Sequence, residues 1–293
     1  MSKPGDSSRA RAVSAAKARA RFIVEPPART TLIRPPADWD FPRRTLMIVG
    51  LPRSGTTYLC KLMASTGVLG HPDEFFIPER ALRYDARRGS DLAFRLTLPN
   101  TVGRSDNGVA AVKAFSYNFD EFARRTNLQD FYPDPVFIYM RRRDVLGQAV
   151  SFARALQSGE WTSQDVVQHE PQYSADAVHG ALMELVYNEA RWNAYFARNN
   201  VQPLEVFYED LLGNEESVLR EIARRAGLDE AEGRITFVPP DLSVQRDALN
   251  ADWRARFIAE RADVGWLEQP CRRKRVKRKP KNFIRLLLGK LYV

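Results

Sequence analysis

Cysteine is scarce in this chain: only Cys60 and Cys271 occur among 293 residues, far apart and without metal-ligand spacing. That excludes a disulfide framework and a cysteine-built metal centre, and the expectation is one buried and one free thiol in a reducing compartment. No metal site is expected anywhere. Long apolar runs are also missing. Nothing approaches the roughly 20 residues that cross a bilayer, and the N-terminal arm has no apolar core of a secretory signal, so the expected location is cytoplasmic. The most telling absence is a single lysine.

What remains is a globular composition, 44% hydrophobic and 11% aromatic, enough to bury a sizeable core. The formal charge of +9 is unevenly spread. Residues 1–44 hold ten Lys/Arg and four acids, residues 272–293 hold ten Lys/Arg and no acid, and residues 45–271 come to −7. The basic character belongs to the tails and the middle is acidic, which argues against nucleic acid as the partner of the folded part. Residues 1–43 read as a basic arm in which an Ala/Arg-rich helix over 8–23 gives way to an extended stretch, because prolines at 26, 27, 35, 36 and 42 remove backbone donors. Residues 44–268 read as a single main domain and 269–293 as a tail.

Between these tails, strand and helix patterns alternate. "TLMIVGL" (45–51) is a continuous apolar run suited to a strand buried on both faces. "TTYLCKLMAST" then reads as a helix closed by Gly67. "VAAVKAF" (109–115), "PVFIYMR" (135–141) and "PLEVFYEDL" read as further strands, and 144–157, 177–198 and "EESVLREIARRAGL" as helices. The expected fold class is α/β, with a P-loop-like parallel sheet flanked by helices.

The missing lysine lies between the first strand and helix. In "VGLPRSGTTYL" Gly50 and Gly55 keep the spacing of a phosphate-binding loop, but Thr56 stands where the lysine belongs. Glycines still let the backbone approach an anion, and amides at a helix start still point positive charge at it. Ser54, Gly55, Thr56 and Thr57 can supply donors and Arg53 a cation. Without the lysine that spans the β- and γ-phosphates, ATP or GTP hydrolysis is disfavoured. The loop suits a nucleotide with a shorter 5′ anion.

"PRSGTTYL" resembles the 5′-phosphosulfate loop, P-[KR]-[ST]-G-[ST]-[TH], of sulfotransferases that use 3′-phosphoadenosine-5′-phosphosulfate (PAPS). "GHPDEFF" (70–76) resembles G-E-P-x-E-F-F of the bacterial trehalose 2-sulfotransferase-like family, with Glu74 on the second glutamate and His71 replacing the first. "FIYMRRRDVLGQAVSF" resembles a segment whose arginine and helical serine bind the donor's 3′-phosphate. Alignment through Asp144 puts Arg142 and Ser151 in those roles, and Arg141 and Arg143 compete for the first. "YEDL" and then "VQRDALNADWRARF" (244–257) follow in family order, the latter as a loop against the nucleotide with Gln245, Arg246 and Trp253 as candidates near the donor, and core packing as the alternative for Trp253. Lys113 matches a family lysine that faces either the sulfuryl group or the surface. The resemblance spans Thr45 to Trp266.

It implies the sulfotransferase fold, PAPS as donor and a carbohydrate or glycolipid hydroxyl as acceptor. Glu74, Arg53 and Lys113 would serve catalysis. His71, Pro72, Asp73, Glu74, Phe75 and Phe76 would line the acceptor, joined by Gln157 and Trp161 from "SFARALQSGEW" at the acceptor or dimer region. A homodimer is the candidate assembly. Two rival readings stay open: a P-loop kinase or NTPase, and a non-enzymatic protein that binds nucleic acid or membranes through its tails. "RRKRVKRKPK" before "NFIRLLLGKLYV" either attaches to anionic lipid or packs its leucines on protein.

Overall fold

The computed structural model describes residues 32–162, 165–228, 235–241, 248–265 and 267. The helix expected over 8–23, Cys271, the basic tail, Gln245 and Arg246 lie outside the described residues.

Strand β1 (Arg44–Gly50) buries Leu46, Met47, Ile48 and Val49 completely. Successive side chains point to opposite faces of a strand, so Met47 and Val49 enter one core and Leu46 and Ile48 another. That double burial is why the run is continuously apolar rather than alternating. β2 (Val109–Phe115) and β3 (Val136–Arg141) flank β1, and β4 (Leu204–Phe207) completes the order β2-β1-β3-β4, every pair parallel.

Ten helical segments surround the sheet among the described residues: α1 (Thr56–Ser65), α2 (Pro78–Ala81), α3 (Leu92–Thr101), α4 (Ser116–Arg125), α5 (Leu128–Phe131), α6 (Val145–Ser158), α7 (Ala175–Arg198), α8 (Tyr208–Leu211), α9 (Glu215–Arg225) and α10 (Ala248–Arg261). Leu59 and Leu62 of α1 and Leu219 and Ile222 of α9 cover the Leu46/Ile48 face. Phe119 and Phe122 of α4, Val150 and Phe152 of α6, Trp192 and Phe196 of α7 and Trp253 of α10 cover the other. The result is three layers around one parallel sheet, the α/β class read from the sequence.

Two details differ from the sequence reading. "YEDL" is not part of a strand but the helical turn α8. Much of "VQRDALNADWRARF", expected as a loop, is the start of α10, which docks through Trp253 and Phe257, one helical turn apart and 1% and 8% exposed.

From β1 the chain passes to β2 on one side, then crosses to β3 on the other. In open parallel sheets, ligands bind beyond the strand C-termini where the winding direction switches. Here that point lies beyond the ends of β1 and β3, where the glycine loop emerges. No described helix is long and apolar enough to cross a membrane.

Candidate active site

The loop is built by close approach of backbones. A Cβ on Gly50 would lie 2.8 Å from the Met140 carbonyl oxygen, so only glycine lets β1 run that near β3. Gly55 has φ +87°, and a Cβ there would lie 2.3 Å from the Tyr208 ring. Arg53 also adopts a positive φ, 64°, which disfavours a side chain and so requires support from its surroundings. Gln148 Nε2 donates to the Pro52 carbonyl at 2.7 Å and Trp192 Nε1 to the Gly50 carbonyl at 3.2 Å. Ser54, expected to contact the anion, is fully buried, and both its amide and its hydroxyl donate to the Leu51 carbonyl, at 3.3 and 2.8 Å. It shapes the loop from inside.

Helix α1 therefore starts without a cap. Its N-cap is Gly55, no side chain caps its first-turn amides, and that turn has no acidic residue. Thr56 is buried and Thr57 half-buried at this helix start, whose uncapped amides and positive dipole end suit an anion.

On one side of this mouth lie Arg53, Ser151 and Arg142. Arg53 Nε donates to Ser151 Oγ at 2.8 Å, and its Nη1 donates to the Trp161 carbonyl. Arg142 Nη1 donates to the Arg53 carbonyl at 3.1 Å, its guanidinium lies 5.2 Å from the Tyr208 ring centre, and Glu209 is 3.8 Å away. Burial first, and then the neighbouring Arg142, lower the pKa of Arg53. The two competing arginines are engaged elsewhere. Arg141 bridges Glu189 at 2.6 Å and Glu205 at 2.9 Å, and Arg143 clamps Asp210 with bonds of 2.6 and 2.5 Å. Asp144 caps α6 by accepting from the Gly147 amide at 3.0 Å and pairs with Arg254, which ties α10 to the same corner.

On the other side lie Glu74, Lys113 and Thr57. The Lys113 ammonium is 2.6 Å from Glu74 Oε1 and donates to Thr57 Oγ1 at 3.0 Å. The Lys113 and Glu74 side chains are 8% and 13% exposed. Arg80 approaches the second Glu74 oxygen at 3.8 Å. β2 positions Lys113 opposite Ile48 of β1, and the Lys113 amide donates to the Asp73 carbonyl at 3.0 Å, which pins the acidic segment to the strand. Thr57 and Ser151 share a useful state. Each hydroxyl accepts from a cation, so its own hydrogen can be donated to an anion at the mouth.

The segment 70–76 divides its labour differently from the sequence reading. Phe75 and Phe76, expected to touch the acceptor, are each 1% exposed and sit in the core, Phe76 stacked on Phe122 at 4.9 Å. Two aromatic rings beside one carboxylate are buried for their area and leave no face for a ligand. Asp73 is a brace: it accepts from Arg83 at 2.5 Å, from Tyr84 at 3.0 Å and from the Glu74 amide at 2.7 Å. Pro72 is buried and His71 exposed. Gln157 accepts from the Gln172 amide at 2.9 Å, and Trp161 keeps an exposed ring 6.2 Å from Phe152.

Residues that sequence reasoning missed include Gln148, Trp192 and Tyr208, which mould the loop, and Arg80 beside Glu74. Gln148 carried a signal, a polar residue set among the apolar positions of α6, where it is buried. The others needed the tertiary structure. Cys60 is buried behind the loop, where burial pushes its thiol up to about 12.

Comparison with known proteins identifies the family. The chain matches the Stf0 sulphotransferase family over residues 45–118 and 117–260. It is 28% identical to a trehalose 2-sulfotransferase of Mycolicibacterium smegmatis over 253 residues, 72% of this chain and 93% of that protein. A trehalose 2-sulfotransferase of Mycobacterium tuberculosis is 26% identical over 264 residues, 76% of this chain and 97% of its own. The sulfotransferase domain of a Synechococcus olefin synthase aligns with a TM-score of 0.41 and 17% identity, over 82% of this chain and 94% of that one. With the family matched across most of its length, the chain belongs to the Stf0 sulphotransferases.

Proposed function

We propose that this sulfotransferase moves a sulfuryl group from PAPS to a hydroxyl of a carbohydrate or glycolipid acceptor, with Glu74 as general base. One observation carries the reading: the Arg142 guanidinium donates to the main-chain carbonyl of Arg53, which sets two cations side by side at one edge of an uncapped helix start that lacks the P-loop lysine. Neighbouring cations, one of them partly desolvated, are best satisfied by an anion between or beside them. A donor with a single sulfated 5′-phosphate and a separate 3′-phosphate fits that donor set. Arg53, the Thr56 and Thr57 amides and the Thr57 hydroxyl would hold the 5′ end. Arg142 and Ser151 would hold the 3′-phosphate, since Arg141 and Arg143 are already clamped by carboxylates. The carbohydrate acceptor is supported by the two trehalose 2-sulfotransferases among the relatives.

PAPS, when bound, supplies the sulfuryl group and a bisphosphate leaving group. Glu74 takes the proton of the attacking hydroxyl at the oxygen it turns toward the acceptor. Lys113, joined to both Glu74 and Thr57, keeps the base in register with the donor loop and presents positive charge where negative charge develops. The loop amides and Arg53 stabilise the departing phosphate. The test is transfer of label from sulfur-labelled PAPS to trehalose and to a glycolipid extract. Glu74→Gln should lower transfer by on the order of 100-fold or more while binding of adenosine 3′,5′-bisphosphate (PAP) persists, and an unchanged rate removes Glu74 from the reaction.

A further inference from the structure

Tyr117 stands out among the exposed side chains near the site. It is 55% exposed, yet it stacks on Phe115 with ring centres 5.8 Å apart and an interplanar angle of 15°. Phe115 is two residues beyond Lys113 on β2, so both side chains project to the same face, and the Lys113 ammonium lies 5.1 Å from the Phe115 ring centre. Lys113, Phe115 and Tyr117 thus form a line that runs outward from Glu74.

The backbone under Tyr117 is held firmly. Ser116 Oγ donates to Asn188 Oδ1 at 2.6 Å, and Arg191 donates to Ser116 Oγ at 3.3 Å and to Asn188 Oδ1 at 3.1 Å while pairing with Asp120 at 3.2 Å. These bonds fix the first turn of α4 against α7. Desolvation first, then the carboxylates of Glu74 and Glu184, push the Tyr117 phenol up. Tyr117 is thus a solvent-facing ring on a fixed backbone, within electrostatic reach of the Glu74 and Glu184 carboxylates.

We infer that Tyr117, backed by Phe115, is the shelf of the acceptor subsite, on which the C–H face of a pyranose ring stacks so that one hydroxyl is directed to Glu74. The inference deepens the proposed sulfotransferase reading and rests on it. A pyranose offers an apolar face of C–H bonds and an equator of hydroxyls. The electron-rich face of an aromatic ring attracts the first, and the carboxylates of Glu74 and Glu184 suit the second. Rigid support matters because a preformed platform loses little conformational entropy on binding. Tyr117 would act as a specificity-determining residue rather than in the chemistry.

The test uses full-length protein saturated with PAP, probed with methyl α-D-glucopyranoside, trehalose and maltose by saturation-transfer NMR and calorimetry. At least one sugar should bind through its ring C–H protons. Tyr117→Phe should keep that affinity, and Tyr117→Ala should weaken it by about tenfold without changing PAP affinity. Equal sugar affinity in wild type and Tyr117→Ala, or PAP binding with no pyranoside binding at all, overturns the shelf and leaves the donor site standing. Failure of wild-type protein to bind PAP overturns the proposed function and the shelf with it.

Discussion

Replacing Lys113 by methionine removes the ammonium but keeps most of the stem, and the structure sets the size of the effect. The Lys113–Glu74 pair is separated by 2.6 Å and both side chains are largely buried. Coulomb attraction at that distance is ~6 kcal/mol at an effective dielectric constant of ~20, and the desolvation of both ions offsets much of it. In the single variant the carboxylate keeps its desolvation cost and loses its closest cation, with Arg80 still 3.8 Å away. Breaking a buried pair from one side costs ~3–5 kcal/mol, and the residual exposure of Glu74 together with Arg80 argues for the lower end, ~3 kcal/mol. With a urea dependence of ~3 kcal/mol per molar, the unfolding midpoint should fall by about 1 M. Glu74→Gln should cost less, ~1 kcal/mol, because the amide oxygen still accepts from Lys113 and the lysine keeps Thr57. The double variant should be no less stable than Lys113→Met alone, a coupling of ~1 kcal/mol or more. A Lys113→Met midpoint indistinguishable from wild type, or strict additivity in the cycle, would refute the argument that this pair is a desolvated unit.

Other consequences are open to measurement. Gly55→Ala should destabilise the protein by at least ~2 kcal/mol, from positive φ and from the Cβ placed 2.3 Å from Tyr208; adding Tyr208→Ala should relieve the steric part only, and a neutral Gly55→Ala in chemical unfolding contradicts this loop geometry. Arg142→Ala should weaken PAP binding by about 100-fold, while Arg143→Ala, clamped to Asp210, should change it less than about threefold; the reverse ranking would assign the 3′-phosphate to Arg143. Burial raises the pKa of Asp144, but the hydrogen bonds from Arg254 and the Gly147 amide outweigh it and leave the net value below 3.8. Its contribution to stability is therefore present above the ordinary carboxylate range and is lost as pH falls through the lowered native value. Unfolding curves of Asp144→Asn should lie below wild type at neutral pH and converge on it in acid, and a gap independent of pH would exclude the charge as the cause.

The framework was legible wherever one segment carries its own signal. β1, the loop and α1 announce themselves by a continuous apolar run followed by two spaced glycines, because double burial and backbone approach each demand those residues. α4 and α10 were not legible. In "SYNFDEFARR" and "ALNADWRARFIAER" only two large aromatic residues per helix reach the core, one turn apart, too few to mark either segment as a helix by themselves. Within the site, the motif order brought Glu74, Arg53 and Ser151 into view, but their partners depend on contacts across the sheet. No local rule separates Arg142 from Arg141 and Arg143, since the distinction lies in carboxylates supplied by α7, β4 and α8. Phe75 and Phe76 mislead for the opposite reason: adjacency to Glu74 in sequence suggests shared function, while their burial gives them to the core.

The central claim, that the lysine-free loop holds a bisphosphorylated adenosine with Arg53 and Arg142, is tested most directly by calorimetry of the full-length protein with PAP and, separately, with ATP and magnesium. The account predicts PAP binding in the absence of metal, weakened substantially by Arg53→Ala, and much weaker binding of ATP. Heat from ATP with magnesium and none from PAP would contradict it.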